Sequence, residues 1–105
     1  GALALEPDSG PFLDSLGAVY LRRGEAERAA QVLARAAALA PQEPLIHEHL
    51  GDALHAVGRL VEAAGAYRRA LEALAVLAPE AGEPLPQQTT LERKLKMLST
   101  RAADD

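Results

Sequence analysis

The chain has 105 residues and a formal net charge of −4; 49% of its residues are apolar but only 3% are aromatic. This length suits one small domain with a single core, and the acidic balance argues against general binding to a phosphate backbone, so no nucleic-acid partner is expected. The absence of cysteine excludes disulfides and thiolate metal sites and fits a reducing compartment such as the cytoplasm. The apolar runs, broken by Arg or Glu, fall short of the roughly 20 residues that span a bilayer, so no membrane span is expected.

No stretch alternates as a strand does and no Asn-Gly or Asp-Gly hairpin is present, whereas apolar residues recur at helical spacing, so the fold class is all-α. Offset against itself by 34 positions, the sequence aligns Leu16-Gly17 with Leu50-Gly51, Gly24 with Gly58, Ala29-Ala30 with Ala63-Ala64 and Arg35-Ala36 with Arg69-Ala70. A tandem helical repeat follows. The same offset pairs Leu5 with Leu39 and Pro7 with Pro41. Residues 1–7 therefore read as the tail of a preceding repeat, and the chain as the C-terminal portion of a longer protein.

Residues 10–43 form the first repeat. Pro11 suits an early helical position, Gly24 a left-handed cap, and Leu13, Leu16 and Tyr20 fall on one face between them. A second helix is expected over 26–39. Residues 44–77 repeat the pattern, with Pro44, Gly58 and the stripe Ile46, Leu50 and Leu54, then a helix over 60–77. Gly17 and Gly51, inside helices, each cost about 1 kcal/mol relative to Ala, so a neighbouring helix is expected to cross closely there. His47 is expected to be packed in place of an apolar residue. Pro79, Gly82, Pro84 and Pro86 make 78–88 a loop. Thr89 with Glu92 suggests a capping box, and Leu91, Leu95 and Leu98 a stripe, giving a capping helix over 89–101 and a frayed tail over 102–105. Its Arg93, Lys94, Lys96 and Arg101 read as a solvated face.

The order and spacing of Leu13, Leu16-Gly17, Tyr20, Ala29, Leu33, Ala36 and Pro41, repeated as Leu50-Gly51, Leu54, Ala63, Tyr67 and Ala70, resemble the tetratricopeptide repeat family. His47 replaces a large apolar residue of the motif, and Ala75 stands where Pro is expected. The resemblance covers residues 2–77 and, with the high usage of Ala, Leu and Arg, looks bacterial. It implies a right-handed helix-turn-helix solenoid of two full repeats, whose first helices line a concave groove. By position that groove presents Asp14, Ala18, Leu21, Leu45, Glu48, His49, Asp52 and His55. The Lys and Asn clamp of chaperone-binding members is missing at Asp14, Ala18, Glu48 and Asp52.

No nucleophile, base and orienting group form a recognisable motif and no Gly-rich phosphate loop is present, so neither enzymatic activity nor a cofactor is expected. Glu48, Asp52 and His55 share a helix face at metal-ligand spacing, but such neighbours commonly just meet water, and no metal is expected. His47 and His49 point to different sides of their helix. The reading that follows is a scaffold that binds a protein or peptide, basic or neutral, in its groove. The alternative is a structural end-cap of a larger solenoid with no ligand of its own. Leu3 and Leu5, at an open repeat end, leave self-association as a further expectation.

Overall fold

In the computed structural model the described residues are 9–77, 82 and 85–104, without the side chains of 100–104. They form five helices in chain order: α1 Gly10–Arg22, α2 Ala26–Leu39, α3 Pro44–Ala56, α4 Leu60–Leu77 and α5 Pro86–Asp104. No strand occurs among the described residues, and no helix among them is long and apolar enough to cross a membrane.

Local chemistry sets the helix ends. The Ser9 hydroxyl accepts from the Phe12 backbone N–H at 3.1 Å, capping α1, and Pro11 follows in the first turn, where its missing donor costs little. Just beyond α1 and α3, Gly24 and Gly58 adopt φ of 79° and 87°, a left-handed backbone that side chains disfavour. Consecutive helices then pack in sequence order, α1 on α2, α2 on α3, α3 on α4 and α4 on α5, while α1 also touches α3 directly. One core runs through them all, from Leu13 and Leu33 through Ile46, Leu50 and Tyr67 to Leu91 and Leu98.

Close approach within each helix pair rests on one glycine. A Cβ on Gly17 would run into the Leu33 side chain, and a Cβ on Gly51 would lie 2.5–2.9 Å from three atoms of the Tyr67 ring. Leu33 and Tyr67, both essentially inaccessible, occupy equivalent positions of α2 and α4. The repeat in sequence is thus a repeat in packing: a large side chain of the second helix seats on a glycine of the first.

The last helix departs from expectation. It begins at Pro86, three residues before the expected Thr89, because Pro is well accommodated in a first turn. The Thr89 N–H donates to the Leu85 carbonyl at 3.1 Å, which places Thr89 inside the helix, where a capping box with Glu92 cannot form. The helix also runs on through Asp104, past the expected fraying point. The expected repeat tail over 1–7, with Leu3 and Leu5, and most of the expected loop, namely 78–81, 83 and 84, lie outside the described residues.

The glycine contacts make a direct prediction. Gly51→Ala is expected to cost about 1–3 kcal/mol through overpacking against Tyr67. Gly65→Ala, where nothing lies within 4 Å of the new Cβ, is expected to gain up to about 1 kcal/mol from helix propensity. Urea denaturation of the two variants checks both signs.

Candidate functional site

The first helix of each pair brings its polar residues to one side. His49 on α3 donates from Nδ1 to Asp14 Oδ1 on α1 at 2.7 Å, a link between residues 35 apart in sequence. Glu48 and Asp52, one turn apart from each other on α3, face the same cation. Lys94 of α5 donates from Nζ to Glu48 Oε2 at 2.8 Å and to Asp52 Oδ1 at 3.0 Å. Beneath them the Tyr67 hydroxyl of α4 donates to Asp52 Oδ1 at 2.5 Å, and the Lys94 ammonium lies 5.6 Å from the Tyr67 ring centroid. The result is a continuous polar strip across α1, α3 and α5.

Of the eight candidate residues, four, Asp14, Glu48, His49 and Asp52, join this strip. The others take different roles. Ala18 is half-buried, Leu21 packs partly against the core, Leu45 at the start of α3 is 47% exposed, and His55 is half-buried with an interaction of its own. Glu48 and Asp52 share a face, as their spacing requires, and Lys94 takes the space between them. Among the described residues no three His, Asp or Glu side chains gather as metal ligands do.

Two contributors were not singled out from the sequence as site residues. Lys94 was read with Arg93, Lys96 and Arg101 as part of a solvated face, yet it lies three residues after buried Leu91 and four before buried Leu98. That register places it on the buried side of α5, and this was the available signal. Tyr67 was read as core, and it is core, but a buried phenol also needs an acceptor; Asp52 supplies it.

The strip tunes its own groups. Burial alone would lower the Lys94 pKa, but the hydrogen bonds to Glu48 and Asp52 and the charges of both outweigh it and hold Lys94 above its ordinary value. Burial, then the hydrogen bond to Asp52, then the charges of Asp52 and Glu48 push the Tyr67 phenol far above its ordinary range. Both groups are raised on folding. Their contribution is therefore complete below the unfolded values near pH 10 and is lost as pH rises towards the folded ones. Stability measured by chemical denaturation is expected to fall above about pH 10. The fall should be shallower in Tyr67→Phe, which has no phenol to ionise on unfolding; an unchanged alkaline slope would contradict this assignment.

Residues 5–96 match the family model of the bacterial transcriptional activator domain. No curated protein matches the chain. The match spans most of the chain, and it shows this family rather than the tetratricopeptide repeat family whose motif the sequence resembles. A domain of transcriptional activators gives no support to the exclusion of nucleic acid that was drawn from the net charge of −4. Five helices, a helical repeat in sequence and in packing, and a match over 5–96 place the chain together: it belongs to the bacterial transcriptional activator domain family.

Proposed function

We propose that this domain is a non-catalytic protein-interaction module of a bacterial transcriptional activator, presenting the face shared by α1, α3 and α5 to a peptide or helix of a partner protein. The observation that carries this reading is the polar strip. Asp14–His49 and Glu48/Asp52–Lys94 fix five side chains across three helices without burying them completely, with exposures from 12% for Glu48 to 35% for Asp52. Groups held in place before binding lose little freedom when a partner arrives. Three carboxylates outnumber the one ammonium in the strip, which favours a basic or neutral segment. Ala18 and exposed Leu45 supply small and apolar contacts beside it. In this reading the helices wind as tetratricopeptide repeats do, with the strip on the concave side.

A structural reading is favoured by one observation: Lys94 already satisfies Glu48 and Asp52 from within the chain. On that reading the strip closes the array and holds α5, and nothing docks on it.

Ala18→Arg with Leu45→Arg separates the two, because it obstructs the face while leaving every hydrogen bond of the strip in place. In the full-length regulator, reporter expression from its own promoter is expected to fall about tenfold, the loss of roughly 1.4 kcal/mol of binding, with helicity and melting temperature of the domain retained. Undiminished activation would overturn the interaction reading in favour of the structural one.

A further inference from the structure

On the other side of the array, away from the polar strip, the two second helices stand apart. The cleft between α2 and α4 has a volume of about 630 Å³, within the range of small-molecule sites. Its width follows from sequence: Ala34 and Ala38 on α2 and Ala73 on α4 place only methyl groups where larger side chains would close the gap. Leu50 and His47 of α3 also line it. At one end Val76 and Leu77 are 79% and 65% exposed, an apolar rim left in water.

His47 forms part of the cleft wall. It is only 4% exposed, and its Nε2 lies 2.8 Å from the Pro41 carbonyl oxygen. A carbonyl only accepts, so Nε2 carries a proton and donates it. The ring's Nδ1 is buried and has no hydrogen-bond partner among the described residues. Buried polar atoms are nearly always partnered, because the unmade bond is costly. That atom lies behind the cleft wall and is not reached from the cleft.

The rim adds charge. Arg69 and Glu72 of α4 line the cleft, and neither makes an ion pair or side-chain hydrogen bond among the described residues. Arg69 also lines an adjoining hollow of about 440 Å³ that shares Ala34 and Leu50. Its planar fork suits a carboxylate or sulfonate. Glu72, three residues on, disfavours a second negative charge.

We propose that the α2–α4 cleft is a binding site for a small monoanionic amphiphile, with its apolar body between the alanine walls and its anionic group on Arg69. The site is independent of the strip on α1, α3 and α5, and its ligation would put a small molecule in position to influence a regulatory domain.

A suitable probe is 1-anilinonaphthalene-8-sulfonate, which combines aromatic rings, one N–H and one sulfonate and brightens in apolar surroundings. Titrated into the full chain, it is expected to saturate at one site per molecule. Arg69→Gln should weaken it about tenfold, as loss of a charge-assisted hydrogen bond does, and Ala34→Leu, which fills the cleft from an exposed position, should abolish it. Far-UV circular dichroism and melting temperature establish that each variant is folded. Non-saturating binding, or equal affinity in folded Arg69→Gln and Ala34→Leu, overturns the proposal. So does sedimentation showing a dimer that Ala34→Leu dissociates, since a second copy of the chain would then occupy the cleft.

Discussion

The seating of Tyr67 on Gly51 is the contact on which most of the molecule depends. Only a residue without a Cβ lets the ring lie this close to α3, and the same closeness brings the phenol to the neighbouring residue, Asp52. Packing and chemistry are therefore coupled at one point. Gly51 sets the spacing of α3 and α4, Tyr67 fills it, Asp52 satisfies the hydroxyl, and Lys94 bridges the Asp52 and Glu48 carboxylates. In the first pair, Gly17 and Leu33 solve the spacing problem without any polar group, and the corresponding stretch of α1 offers the lone carboxylate of Asp14 instead.

The fifth helix is attached by two different kinds of interaction. Leu91 and Leu98 bury its stripe against the array, an undirected apolar contribution of about 1.5–3 kcal/mol for each fully buried leucine. Lys94 adds direction. Partly buried ion pairs often contribute little net stability, because desolvation offsets attraction. Their effect here is positional: only one rotation and register of α5 puts the ammonium within reach of both carboxylates. The strip thus fixes where the helix lies and places one positive charge between two carboxylates that would otherwise repel.

Much of this could be read from the residues. The offset of 34 located the helix pairs, and helices α2 and α4 run over the expected 26–39 and 60–77. The in-helix glycines announced close crossings, and His47 is packed as the motif position demands. Three features were hidden for physical reasons. The start of α5 was missed because Pro86 both breaks a helix and begins one, and the surrounding prolines favoured the first meaning. Lys94 was hidden among like charges, where only its register against Leu91 and Leu98 sets it apart. The free Nδ1 of His47 depends on where the Pro41 carbonyl points, a tertiary fact with no local signature. That Glu48 and Asp52 share a face was legible, whereas the cation that spans them was not.

The central claim is that α3 and α5 are joined through a coupled polar strip. A double-mutant cycle tests it most directly, combining Lys94→Met with Glu48→Gln and measuring stability by urea denaturation at neutral pH. A coupling energy of about 1 kcal/mol or more is expected for side chains in direct, partly buried contact. Additive effects, with a coupling near zero, would show that Lys94 and Glu48 act independently and would contradict the account of how α5 is held.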